Sequence, residues 1–161
     1  MRWPLISYTD ALPLGVAGDA RGPFIRIRKS YEADEGLYQH ELRHVKQWAI
    51  VGVALGAINA SIAWLLWSAT VAAVPTIGGL TPLQAAGVLG FAAFVAGHGV
   101  LYSCTRAYRQ AAEVDAYRTQ MRFPNGRGGQ LSLDKAAELL KRPNYDLDIT
   151  FAQARILLRG Y

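Results

Sequence analysis

The sequence predicts an α+β, mostly helical chain in which a hydrophobic helical hairpin is inserted between two more polar segments. Three observations carry this. The stretch from Gln47 to Thr105 contains no Asp, Glu, Lys or Arg, although 18% of the 161 residues are charged. Helical patterning with capping signals flanks that block on both sides. The run Phe24-Ile25-Arg26-Ile27-Arg28 alternates apolar and basic after Ile25, as a half-buried strand does. The chain then divides into an N-terminal strand region and site helix over 1–48, the hairpin over 49–104, and a C-terminal helical segment over 105–161.

Residues 1 to 23 are punctuated by Pro4, Pro13, Gly15, Gly18, Gly22 and Pro23, and they read as loop with short strands at most. No continuous apolar run precedes Pro13, so a cleavable secretory signal is not expected. The 24–28 run suits an edge strand with a charged outer face. After Tyr31 the acidic cluster Glu32, Asp34 and Glu35 leads into a helix, with Asp34 as its N-cap and the negative charges favourable at a helix N-terminus. Neither Pro nor a Gly pair interrupts that helix before Pro75, so it continues into the first apolar span.

Ala49 to Val74 and Leu83 to Cys104 are each long enough to cross a bilayer core of ~30 Å at about 1.5 Å per residue. The uncharged segment PTIGGLTP supplies the turn between them. Gly52 and Gly56, with Ala93 and Gly97, place small residues at four-residue spacing, which lets two helices approach closely. Beyond Arg106 the patterning predicts a polar helix through about Gln120 and a turn at Pro124-Asn125-Gly126. Two short amphipathic helices follow, one from near Ser132 to before Pro143 and one after Thr150.

A chain of this length holds about one domain, and hence one principal site. The formal charge is +5, with the basic excess in Arg21 to Lys46 and from Arg106 onward, on the flanks of the apolar block. There is no run of five or six Lys/Arg and no aromatic-plus-basic module, so the placement argues for a membrane surface and against nucleic acid. The single cysteine, Cys104, forms no intrachain disulfide and reads as a small hydrophobe.

The chemistry lies in His40-Glu41-Leu42-Arg43-His44, an HExxH motif that holds two of the three histidines in the chain. On a helix, positions i and i+4 share a face, so His40 and His44 can bind one tetrahedral Zn²⁺ while Glu41 takes a proton from a water on the metal. The motif stands on a predicted helix just after a predicted edge strand, the order found in zincins, and that edge could take up an extended peptide by β-augmentation. Arg43 departs from the pattern by placing a charge between the ligands. A catalytic zinc needs a third protein ligand, and the HExxHxxGxxH continuation fails because Gln47 stands where Gly is needed and Ile50 where the third His is needed.

If the two spans run out and back, the helix after the second span returns to the side of HELRH. Glu113 on that helix is then the candidate third ligand, with Asp115 two residues on, while Glu32 and Asp34 are better placed as caps. The other reading of Glu113 is a solvated charge or a partner of Arg109 or Arg118. Arg43 and Lys46 before the hairpin, with Arg106 and Arg109 after it, place the site on the cytoplasmic side by the positive-inside rule. His98, inside the second span, reads as a packing residue. Tyr117, one turn from Glu113, could stabilise the oxyanion, though aromatic packing is the stronger reading.

The segments DEGLYQHELRHVKQW and YRQAAEVDAYRTQ resemble small phage-encoded and bacterial zinc metallopeptidases of the HExxH gluzincin type. The resemblance covers residues 24–48 and 106–120. It implies a minimal zincin fold of edge strand, HExxH helix and Glu-bearing helix, with zinc on His40, His44 and Glu113, Glu41 as base, and a peptide or protein substrate. Two hydrophobic spans between HExxH and the third ligand are also similar to the membrane-embedded gluzincins of the prenyl-protein protease and bacterial heat-shock membrane protease groups, which are far larger. A phage source implies virion tail proteins as partners and the virion tail as an alternative location before insertion in the host envelope. The competing expectation is a non-enzymatic membrane or virion component, holin-like or at a tail tip, with two hydrophobic spans. Nothing in the sequence marks the substrate.

Overall fold

Capping and alternation set the elements of the computed structural model, which describes residues 3–70 and 81–160, with backbone alone at 66–70, 82 and 83. It is α+β and mostly helical. The strands are β1 (Leu5–Tyr8), β2 (Gly18–Arg21) and β3 (Phe24–Ile27), and the α-helices among the described residues are α1 (Glu35–Thr70), α2 (Pro82–Cys104), α3 (Arg106–Gln120), α4 (Leu133–Leu140) and α5 (Phe151–Arg159). The chain divides into two units, one holding the residues up to Gln47 and from Leu101 onward, the other Trp48–Val100.

In the first unit the sheet order is β1-β3-β2, with β3 parallel to β1 and antiparallel to β2. The expectation of an edge strand over 24–28 is therefore corrected: β3 is the central strand. Its flanking strands are short and carry little apolar alternation, so the sequence around β3 does not announce them. The alternation itself holds, since Ile25 and Ile27 are fully buried while Arg26 turns outward to pair with Asp19. Gly22, at φ 59°, occupies the first position of the two-residue turn joining β2 to β3, where a left-handed backbone favours glycine.

Ile25 and Ile27 pack against Leu37 and Val45, which anchors the first three turns of α1 to the sheet. That helix begins as predicted, with Asp34 Oδ1 accepting a hydrogen bond from the Leu37 amide at 2.8 Å. A second cluster joins Val114 and Tyr117 of α3 to Ala136, Ala137 and Leu140 of α4 and to Ala154 and Leu158 of α5. Ser132 caps α4 and Thr150 caps α5, the latter in a reciprocal capping box with Gln153.

The second unit consists of the hairpin segments of α1 and α2. α1 runs without a break from the HExxH turn into the first span, and the predicted end of that span at Val74 and most of the PTIGGLTP turn lie outside the described residues. A Cβ on Gly52 would stand 2.7 Å from the Phe94 ring, and one on Gly97 would collide with Leu55, so these two glycines permit the close approach. Gly56 faces open space. Trp48 packs on Phe94 and donates from Nε1 to the Val95 carbonyl at 3.0 Å. His98 is half-buried and Cys104 is exposed.

Both α1 and α2 are long and apolar enough to cross a membrane, and only 11% and 6% of their apolar windows are buried. Trp64 and Phe91 are each 70% exposed. Water disfavours so large an uncovered apolar surface.

Two stability outcomes follow. Leu140→Ala lowers the unfolding free energy of the first unit by about 2–5 kcal/mol, whereas Ile156→Ala, at an exposed position, changes it by under about 0.5 kcal/mol; chemical denaturation measures both. Partial burial raises the Asp19 carboxyl, but the Arg26 hydrogen bond and charge and the neighbouring Arg21 outweigh it and hold the group below its ordinary value. Its stabilising contribution is thus present above the unfolded-state carboxyl range near pH ~4 and is lost as pH falls through the lowered folded value. Asp19→Asn flattens that acid limb in a thermal-unfolding series against pH.

Candidate metal centre

One turn of α1 separates His40 from His44, and helical geometry puts both rings on the face turned toward α3. Their Nε2 atoms stand 3.2 Å apart. Glu113 enters from α3 with Oε1 3.4 Å from His44 Nε2 and Oε2 3.7 Å from His40 Nε2. Donors bound at ~2.0–2.1 Å to one tetrahedral ion lie about 3.3 Å from each other. The three side chains each bring a donor atom within 4.8 Å of the others, a spacing that a small rotamer shift brings to that of a single cation, and among the described residues they form the group that could hold one.

Burial strengthens the fit. Glu113 is 2% exposed and His40 5%, while His44 is half-buried and leaves the group open on its own side. His40 Nδ1 and Glu113 Oε2 are buried without a hydrogen bond of acceptable geometry, although Gln120 and Tyr145 lie near enough to interact with them. Burial, followed by the charge of His44, holds the His40 imidazolium well below its usual range. For Glu113, burial pushes the carboxyl up more strongly than the His44 charge and the Tyr102 hydroxyl pull it down.

A shell of polar side chains fixes the ligands. Gln47 Nε2 donates to the Ala112 carbonyl at 3.1 Å and to Asp115 Oδ2 at 3.0 Å, so its amide oxygen is the atom facing His44 Nδ1 at 2.9 Å. His44 must then carry its proton on Nδ1, which leaves the Nε2 lone pair for a metal. Tyr102 donates to Glu113 Oε1 at 2.5 Å. Asp115 pairs with Arg43, which gives the charge inside HELRH a partner; partial burial raises this carboxyl, and Arg43 and Gln47 together bring it below its ordinary value.

Glu113 does not pair with either arginine considered for it. Arg109 is bound to the carbonyls of Tyr102, Ser103 and Tyr145 and to Asp146, and Arg118 donates to the Leu157 carbonyl. The Tyr117 ring meets the His40 ring edge-on at 4.6 Å between centroids, and its hydroxyl shares a 2.8 Å hydrogen bond with that of Tyr145. Burial raises the Tyr117 hydroxyl far above its ordinary value. Tyr117 thus packs its ring on His40 and engages its hydroxyl with Tyr145.

Glu41, next to His40, is 5% exposed and lies against β2. A Cβ on Gly18 would stand 2.9 Å from Glu41 Oε1, so the glycine makes room for the carboxylate. Burial, then the charges of Glu113 and Asp19, push the Glu41 carboxyl well above its ordinary value.

Gln47, Tyr102, Tyr145 and Gly18 are site residues that sequence reasoning did not single out. Gln47 carried a usable signal, since it sits three residues after His44 on the same helical face. The other three come from distant parts of the chain. Comparison with protein-family models, with curated proteins and with solved structures finds no match to this chain.

The geometry orders the effects of substitution on divalent-metal affinity, measured by competition with a chromogenic chelator. Glu113→Gln and His44→Ala abolish stoichiometric binding. Gln47→Leu weakens it by about 10–100-fold, the range for a residue that orients a metal-binding histidine. Asp115→Asn costs less than Gln47→Leu, because Gln47 keeps its bond to the Ala112 carbonyl.

Proposed function

We propose that the chain is a membrane-associated zinc metallopeptidase, a minimal gluzincin-like zincin that hydrolyses peptide bonds. The observation that carries this reading is the convergence of His40, His44 and Glu113, whose donor atoms lie within 4.8 Å of one another, with Glu41 buried beside His40 in the same helix. Two imidazoles and one carboxylate are a donor set that suits Zn²⁺ with an open fourth position. Bound there, zinc would lower the pKa of a water and polarise the scissile carbonyl.

The chain's own residues do the rest. His40, His44 and Glu113 hold the ion, with Gln47 fixing the His44 tautomer and Tyr102 fixing one Glu113 oxygen. Glu41 takes the proton of the attacking water and returns it to the leaving amine; burial, then the Glu113 and Asp19 charges, raise its carboxyl above the ordinary range, which favours holding that proton between the two transfers. Tyr117 forms a wall beside His40 in this reading and does not serve as the oxyanion donor. Since β3 is central, the strand whose outer edge is unpaired among the described residues and lies beside Glu41 is β2, and an extended substrate would add there.

The uncovered apolar hairpin supports a membrane location, and the Lys and Arg residues flanking it support a cytoplasmic site. The hairpin by itself would equally suit a holin-like or tail-tip component without activity, in a membrane or packed in a phage virion. The buried His-His-Glu group is what favours the enzyme.

The test begins with metal analysis of the purified protein, where one zinc per chain is expected and none in His44→Ala. The zinc-loaded protein is then incubated with a proteome-derived peptide library and new termini are read by mass spectrometry. Cleavage that disappears with chelator, and falls by about 10²–10⁴-fold in a Glu41→Gln variant that retains zinc, is the expected result. Gly18→Ala also keeps zinc but slows cleavage, because its methyl group displaces the Glu41 carboxylate. Stoichiometric zinc without cleavage would favour the non-enzymatic component.

A further inference from the structure

On another part of the first unit, β1 and the start of α1 enclose a groove of about 600 Å³. Its walls are aromatic, from Trp3, Tyr8 and Tyr38, and its rim carries Glu32, Asp34 and Glu35. Among the described residues no Lys or Arg lines it, although basic residues outnumber acidic ones 17 to 12 in the chain. Trp3 is 59% exposed and Tyr8 39%, whereas the neighbouring strand β3 buries Ile25 and Ile27 completely. Large rings so exposed contribute little to the core.

The three carboxylates are not equivalent. Asp34 is engaged as the cap of α1, while Glu35 meets only the neutral Gln39 amide, at 2.8 Å, and Glu32 is exposed on the rim. Among the described residues, Glu32 and Glu35 therefore leave net negative charge beside the aromatic rings. A cation carried on an apolar stem is complementary to both features, since its stem packs on the rings and its head meets their faces and the carboxylates.

The groove is larger than one such side chain needs. It also lies along β1, an outer strand whose far edge is unpaired among the described residues, so an extended backbone can be accommodated beside it. Tyr38 and His40 are two residues apart on α1, about 200° around the helix, which puts the groove and the metal ligands on different faces.

We propose that this groove is a binding site for a lysine or arginine side chain presented by a peptide segment. The site requires binding alone and stands apart from the peptidase reading. The test uses the full chain purified in detergent and fluorescence anisotropy of labelled short peptides that differ only in a central Lys, Arg, norleucine or Glu. The Lys and Arg peptides are expected to bind at least about tenfold more tightly than the other two, with affinity falling as salt is raised. Trp3→Ala and the double variant Glu32→Gln/Glu35→Gln each lose about that factor, while Trp3→Phe retains binding and metal affinity is unchanged in all three variants. Equal binding of the norleucine peptide would overturn the proposal in favour of plain apolar docking. Wild-type affinity in the carboxylate variant, or full displacement of the Lys peptide by phosphatidylcholine vesicles, would overturn it as well.

Discussion

A carboxylate and two imidazoles share a buried space in which His40 Nδ1 and Glu113 Oε2 find no hydrogen-bond partner, and both cores of the first unit pack around that constraint. The His40 and His44 Nε2 atoms face each other at 3.2 Å, and Glu113 Oε2 is buried without a hydrogen bond. Burying unsatisfied polar groups costs several kcal/mol in a low-dielectric interior. A single divalent cation would replace the 3.2 Å contact between the imidazoles with shared coordination by all three side chains.

The two cores hold the parts of this group in place from opposite directions. Ile25 and Ile27 fix the HExxH turn of α1 through Leu37 and Val45, and α4 and α5 fix α3 through Val114 and Tyr117. Tyr117 belongs to both the core and the site, because its ring lies against His40 while its body packs with Leu140 and Leu158. Arg109 ties the carbonyls of Tyr102 and Ser103 to that of Tyr145, so two of the tyrosines around Glu113 are tethered to one guanidinium. A cation held there would therefore couple its affinity to the stability of this unit.

Much of this was legible in the sequence where a local rule applied. Asp34, Ser132 and Thr150 announced their helices by capping chemistry, and HELRH announced its own geometry through the i, i+4 period. Glu113 was reached by a different route, since the charge-free block implied a hairpin and the hairpin implied a return. The arrangement around β3 was not legible, because four-residue strands such as Gly18–Arg21 carry no periodic signal and sheet order depends on non-local pairing. Gln47 shows a subtler failure. It was read only as the wrong residue for a longer motif, whereas its amide is what sets the proton on His44. Tyr102 and Tyr145 could not be ranked above the other tyrosines without knowing which helix ends meet.

The separation of the ligands along the chain bears on the timing of assembly. Glu113 follows His44 by 69 residues, and the whole hairpin lies between them. At roughly 5–20 residues per second, a ribosome reaches Glu113 several seconds after the two histidines. During that interval the nascent chain holds an exposed pair of imidazoles and no closed site. Glu113 joins the two histidines only after both apolar segments have been synthesised, so a product truncated within the hairpin would lack the carboxylate of the group.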